Sequence, residues 1–217
     1  MLSLFKKLTI VFLMLSVITV TVSGCFGGAT RPLGWSGVTV AGEDMYYATR
    51  DGRLVSIDQD NGNLRWQTDL EKGQGVYNSP LVVGADVYVA TYGGWIFALN
   101  NAGTLRWTYP SDNKRHDPVV SGLVYDNGML YYGSDDGNIY ALDAGSGTKV
   151  WEFKTERKVW ATPVIEDGVL YVGSFDNNFY ALDAENGSEI WRFEADGVFN
   201  GAAIIYQDTV IIGSLDR

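Results

Sequence analysis

Five stretches of this chain repeat one pattern, and the repeat constrains the fold more than any other feature. They begin Met45-Tyr46-Tyr47-Ala48-Thr49, Val87-Tyr88-Val89-Ala90-Thr91, Leu130-Tyr131-Tyr132-Gly133-Ser134, Leu170-Tyr171-Val172-Gly173-Ser174 and Val210-Ile211-Ile212-Gly213-Ser214. Their second positions are spaced by 42, 43, 40 and 40 residues. A fixed period of this length is the signature of a repeat architecture, in which one supersecondary unit is copied along the chain.

The unit is read from its local chemistry. Short apolar runs rich in Val, Ile and Tyr, bounded by Gly, Asn and Asp, are strands. The Asp-Gly and Asn-Gly turns tolerate positive φ and suit tight hairpins. Each of the first four copies continues through a turn into a second apolar stretch, such as Asn138-Ile139-Tyr140-Ala141-Leu142-Asp143. A polar, Gly-containing turn and a tryptophan follow: Trp66, Trp107, Trp151 and Trp191. Each period therefore holds four short antiparallel strands, placed in the fourth copy near Pro163–Ile165, Val169–Ser174, Asn178–Asp183 and Glu189–Phe193. Four strands in such a period make one blade of a β-propeller. No helical period competes after residue 30. Aromatics at 13% and 26 glycines agree with an all-β chain of many turns.

The turn before each tryptophan identifies the kind of propeller. Ala141 to Trp151 and Ala181 to Trp191 have Ala first, Asp third, Gly seventh and Trp eleventh. This resembles the tryptophan-docking motif of propellers built from repeats of the pyrroloquinoline-quinone (PQQ) type, and the resemblance covers residues 35 to 214. Ser56 to Trp66 has Ser for Ala. Ala98 to Trp107 is one residue short, with Asn100 for Asp, which predicts a tighter turn. The four tryptophans are expected to pack each blade on the next, so that stability is largely nearest-neighbour. The fifth copy has two strands, giving about 4.5 blades (35–217) of an expected seven- or eight-bladed ring. The reading is an incomplete propeller, with a domain-swapped oligomer as its alternative.

The N-terminus carries an export signal. Lys6 and Lys7 precede an uncharged apolar run from Leu8 to Val22. That run is short for a bilayer span, which needs about 20 residues, and has the length of a signal-peptide core. Val22-Ser23-Gly24-Cys25 resembles the bacterial lipobox, and Cys25 is the chain's only cysteine. The resemblance implies a signal peptide over 1–24, acylation of Cys25 and a tether over 25–34. An uncleaved anchor and plain secretion are the alternatives. The implied location is the periplasmic face of an outer membrane in a diderm cell, and otherwise the outer face of the cytoplasmic membrane.

A formal net charge of −10 argues against nucleic acid as a partner, because phosphates require a basic face. A single histidine, His116, leaves little for a His-based metal site or a catalytic triad. Asp135-Asp136-Gly137-Asn138 and Asp176-Asn177-Asn178 look like acidic calcium loops. They fall, however, at an inter-strand turn where other copies have Arg50-Asp51-Gly52 and Tyr92-Gly93-Gly94, and neither has the glutamate spacing of an EF-hand loop. Both read as turns. PQQ-type propellers also include quinoprotein dehydrogenases, which hold PQQ and calcium at one mouth of the ring. The long insertions and adjacent-cysteine pair that mark those enzymes have no match here, so no catalytic residue, cofactor or metal is expected.

Trp35, Tyr77 and Trp160 share one phase of the repeat, at the start of the first strand of a blade. Lys114 and Arg115 lie in an extended connection around Asp112 to Asp117, and Arg157 and Lys158 in the next connection. These seven residues are the candidate interaction surface, since aromatic and Arg side chains are frequent interface anchors; packing between blades is the competing reading. Lipobox, repeat and period together resemble BamB-type lipoproteins. That resemblance implies a non-catalytic, membrane-anchored scaffold that binds polypeptide partners in the cell envelope during outer-membrane protein assembly. A fragment of a PQQ-dependent dehydrogenase and a cell-surface sensor or adhesion propeller are the alternatives.

Overall fold

A computed structural model describes residues 36–49, 51–70, 75–112, 114 and 116–216. The sequence calls at Cys25, Trp35 and Arg115 lie outside these residues.

Four sheets of four antiparallel strands follow one another along the chain, each in simple sequential order. Blade 1 is β1 (Thr39–Ala41), β2 (Asp44–Ala48), β3 (Arg53–Asp58) and β4 (Leu64–Asp69). Blade 2 is β5 (Leu81–Val83), β6 (Asp86–Ala90), β7 (Ile96–Asn100) and β8 (Leu105–Tyr109). Blade 3 is β9 (Val124–Asp126), β10 (Met129–Gly133), β11 (Asn138–Asp143) and β12 (Lys149–Lys154). Blade 4 is β13 (Val164–Glu166), β14 (Val169–Gly173), β15 (Asn178–Asp183) and β16 (Glu189–Glu194). A two-stranded hairpin, β17 (Ile204–Tyr206) and β18 (Thr209–Ile211), comes last. The described residues contain no helix. This is an all-β propeller architecture, with blade 4 within one residue of the strand limits expected from sequence.

The second and third strands of blades 2 and 3 are buried on both faces, because each of these sheets is covered by a neighbour on either side. Leu130, Ile139 and Leu142 of blade 3 and Leu170 and Leu182 of blade 4 are fully enclosed. First strands of adjacent blades approach one another, β1 to β5, β9 to β13 and β13 to β17. They line the inner side, while the tryptophan-bearing strands lie outermost.

The docking motif has a physical explanation. The first residue of the motif pairs across the sheet with the tryptophan: Ser56 with Trp66, Ala98 with Trp107, Ala141 with Trp151 and Ala181 with Trp191. A register shift follows immediately in all four blades. Such a bulge bends the strand and re-aims a side chain. The indole N–H then reaches the turn of the following blade: Trp66 donates to Asn101 O (2.7 Å), Trp107 to Ala144 O (3.1 Å) and Trp151 to Ala184 O (3.0 Å). Tyr88 and Tyr131 send their hydroxyls to the same Ala144 and Ala184 carbonyls, so both lone pairs are used. The motif glycine lies under the incoming indole. A Cβ at Gly147 would stand 2.5 Å from the Trp107 ring, and one at Gly187 2.7 Å from that of Trp151. Their φ of 72° and 75° also favours glycine. The shortened turn of blade 2 closes with Gly103 N on Asn100 O, where blade 3 closes one residue wider with Gly147 N on Asp143 O.

Candidate functional site

Four antiparallel strands place the docking turns at one end of the blades. The blade-to-blade connections lie at the other end, beside the turns between second and third strands. Backbone hydrogen bonds join the latter two: Tyr92 N donates to Gly75 O, Asp135 N to Pro118 O and Phe175 N to Lys158 O, all at 2.9–3.0 Å. This connection face carries every described residue of the candidate surface.

At the junction of blades 3 and 4 four side chains converge. Trp160 donates its indole N–H to Asp135 Oδ1 (2.7 Å), which fixes the ring. Phe175 meets it edge-on, with centroids 5.0 Å apart. Lys158 lays its ammonium over both rings, 3.5 Å from the centroid of Trp160 and 4.7 Å from that of Phe175. The ring quadrupole attracts such a cation. Lys158 and Trp160 remain half-buried, and Arg157 beside them is exposed. Below the cluster, Thr155 Oγ1 donates to Gly137 O (2.8 Å), and Ser174 Oγ lies 3.3 Å from it.

The other candidates do not join this cluster. Tyr77 is half-buried against Tyr92, 5.2 Å away, at the junction of blades 1 and 2. Lys114 is exposed in the connection 110–123, its backbone N–H donating to Asp112 Oδ1 (3.2 Å). His116 Nε2 meets the same Asp112 Oδ1 at 2.6 Å. The described candidates thus form separate contacts, one at each junction.

The acidic turns are committed to local structure. Asp136 accepts from Asn138 N (2.8 Å) and from the Tyr140 hydroxyl (2.7 Å). Asp176 accepts from Asn178 N (3.0 Å), Glu156 N (3.0 Å) and the Tyr180 hydroxyl (2.7 Å). Burial first, and then the bond to Asp136 or Asp176, raises the ionisation of Tyr140 and Tyr180 well above the ordinary tyrosine range. Among the described residues no group of three or more His, Cys, Asp or Glu is arranged to hold a metal ion.

At the junction of blades 2 and 3 sequence reasoning singled out Lys114 and Arg115 of the connection but none of the tyrosines beside it. There Tyr109, Tyr132 and Tyr140 gather, Tyr132 stacked on Tyr140 with centroids 5.2 Å apart. Tyr109 and Tyr140 are 6.5 Å apart. The available signal was the length of the connection 110–123, beside a tyrosine at 132 where blade 1 has Tyr47 but blades 2 and 4 have Val89 and Val172.

A family model described as outer membrane protein assembly factor BamB matches residues 28–120 and 110–216. The chain belongs to this family. Among solved structures, BamB from Moraxella catarrhalis is 27% identical, with a TM-score of 0.71 over 83% of this chain and 55% of that one. The quinohemoprotein alcohol dehydrogenase of Comamonas testosteroni, 18% identical with a TM-score of 0.67 over 81% of this chain and 38% of that one, shares the fold. Among curated sequences, the dehydrogenase subunit of a quinone-type alcohol dehydrogenase from Gluconacetobacter polyoxogenes is 35% identical over 119 residues, 48% of this chain and 16% of that protein. BamB from Alkalilimnicola ehrlichii is 28% identical over 128 residues, 54% of this chain and 32% of that protein. The chain spans less than two thirds of each of these relatives. BamB-family membership therefore covers a repeat shared with quinoproteins.

Proposed function

We propose that this BamB-family propeller is a non-catalytic scaffold, anchored to a membrane of the cell envelope by a lipid on Cys25. In this reading it binds polypeptide partners through its connection face, in a role like that of BamB in outer-membrane protein assembly. The observation that carries the reading is the Lys158–Trp160–Phe175 cluster, a rigid aromatic pair fixed by Asp135 and carrying a cation at the protein surface. Aromatic anchors of this kind are typical centres of binding energy at interfaces. Kinship to BamB proteins supports the choice of envelope polypeptides as partners. Tyr77, Lys114 and Arg157 extend the proposed surface, together with Trp35 and Arg115 outside the described residues.

The test is photo-crosslinking from positions 158 and 160 in the envelope of the source cell. The reading expects discrete protein adducts at both positions, those from position 158 disappearing in Trp160→Ala and surviving in Trp191→Ala; no adduct at either position overturns it. Cys25→Ser should release the protein from the membrane fraction and abolish its acylated N-terminal mass.

The 35% identity to dehydrogenase subunits favours a second reading, part of a quinone-dependent alcohol dehydrogenase. Titration with PQQ and calcium, followed by absorbance, separates the two. Saturable binding with alcohol-dependent dye reduction supports the enzyme, and an unchanged cofactor spectrum supports the scaffold.

A further inference from the structure

The junction of blades 2 and 3 differs from the next one in a way that leaves space. At the blade 3–4 junction the connection 155–163 is short, and Thr155 fills the gap beside Ser174, its hydroxyl within hydrogen-bond reach of Gly137 O and Arg157 O. At the blade 2–3 junction the connection 110–123 takes a longer path. A cleft of about 210 Å³ opens there, lined among others by Tyr109, His116, Asp117, Tyr132, Asp136 and Tyr140. Ser134, the counterpart of Ser174, also faces it; its hydroxyl accepts from Asp136 N and donates to no group among the described residues.

Two features of the cleft point to a ligand. Tyr132 is only 3% exposed, yet its hydroxyl has no hydrogen-bond partner among the described residues. The ring is enclosed while the hydroxyl opens onto the cleft, so its hydrogen bonds fall to whatever occupies that space. The Tyr109 hydroxyl is likewise unpartnered on the same wall. Desolvation, and then the neighbouring tyrosines, hold the Tyr132 hydroxyl protonated far beyond the ordinary range, so it stays a neutral donor and acceptor.

The lining chemistry selects the occupant. The carboxylates of Asp117 and Asp136 repel an anion, and an apolar group would leave the hydroxyls unsatisfied. A cation with several N–H donors satisfies hydroxyl oxygens and a carboxylate together, and it also favours aromatic surface. The chain already places cations in this way. Lys149 lies 6.0 Å from the Tyr140 centroid, Lys154 Nζ donates to Asp136 O (2.5 Å), and Arg192 lies over Tyr180, the counterpart of Tyr140, at 5.6 Å. A planar guanidinium, with five donors in a fixed fork, fits hydroxyls and carboxylate better than an ammonium does.

We propose that the cleft between blades 2 and 3 receives an arginine side chain of a bound polypeptide. The proposal deepens the scaffold reading and rests on it for the source of the arginine. The test uses the full chain in mild detergent with ring-labelled tyrosine, titrated with N-acetyl-arginine amide and with its neutral isostere N-acetyl-citrulline amide. Saturable shifts of the Tyr109, Tyr132 and Tyr140 resonances are expected with the arginine probe. The citrulline probe, and Tyr132→Phe or Asp117→Asn with the arginine probe, should each bind about tenfold more weakly. Unfolding midpoints of both variants, measured in parallel, are expected to match the parent chain. Absence of shifts, equal binding of the two probes, or unchanged binding in both variants overturns the proposal. Crosslinked partners at position 160 without arginine binding would sink the cleft alone. Arginine binding without any partner would instead sink the scaffold reading.

Discussion

Trp151 and Trp191 occupy the same place in adjacent blades, and their surroundings could hardly differ more. Each pairs across its sheet with an alanine, follows the same bulge and touches a tyrosine ring at 5.8–5.9 Å. Trp151 is 8% exposed, with its N–H on Ala184 O and Gly187 beneath its ring. Trp191 is 41% exposed, and no docking turn faces it among the described residues. The turn of blade 1 has the converse state: Gly62 has the left-handed φ of a docking glycine, 71°, with no indole above it among the described residues. The motif is thus relational. One blade supplies the tryptophan, the next supplies the glycine and carbonyl, and neither half is buried without the other. Exposed apolar residues concentrate where the relation is unfulfilled, at Trp191 and Phe193 of blade 4 and Ile204, Tyr206 and Ile211 of the hairpin.

Mutations can break this contrast, beginning with the tryptophans themselves. Trp151→Ala should lower the stability of this chain by about 3–5 kcal/mol, since it removes a buried ring and leaves a cavity over Gly187. Trp191→Ala should cost less, about 1–3 kcal/mol, because the ring is 41% exposed yet still packs on Tyr171 and Phe179. Urea midpoints of the two variants measure the difference directly. Equal losses would mean that Trp191 is covered in solution by another docking turn.

The glycines give the next effect. Gly187→Ala drives a methyl group into the Trp151 ring and strains the left-handed backbone, a loss of about 2–4 kcal/mol. Gly62→Ala meets open space and retains only the strain, about 1–2 kcal/mol. Thermal unfolding of the pair isolates the contribution of indole contact; identical shifts would show that backbone strain accounts for both.

A smaller effect belongs to the tyrosines. Tyr131→Phe removes the hydroxyl bond to Ala184 O and should cost about 1 kcal/mol. Tyr171→Phe, whose hydroxyl has no partner among the described residues, should be nearly neutral. The same hydroxyl predicts a pH dependence. Burial, and then Asp126 and Asp183, push the Tyr131 hydroxyl up to about 12, above the unfolded value of about 10. The folded state holds this proton more tightly, so the contribution is complete below pH ~10 and is lost as pH rises towards ~12. Urea midpoints across that window should fall less steeply in Tyr131→Phe than in the parent chain.

Much of the fold was legible because its determinants are local. Strand alternation, Asx and Gly turns and the spacing from Ala141 to Trp151 each lie within a few residues of chain. Part of the candidate face was legible for the same reason, since phase in the repeat placed Lys158 and Trp160 at the start of a blade. Their partners Asp135 and Phe175 come from turns at other points of the repeat, and only the close approach of blades brings them to one ring. The cleft of Tyr109, Tyr132 and Tyr140 escaped the sequence reading because each tyrosine is an ordinary strand residue by itself. What opens the space is the path of a connection, which periodicity does not encode.

The sequence by itself determined the blade, its strand order and the identity of both halves of the docking contact, because these follow from short-range spacing and turn chemistry. The tertiary structure decided how closely each docked tryptophan is enclosed and where a junction gapes. Burial at a repeat interface is a property of two neighbouring units, and a residue's own blade cannot specify what lies across from it.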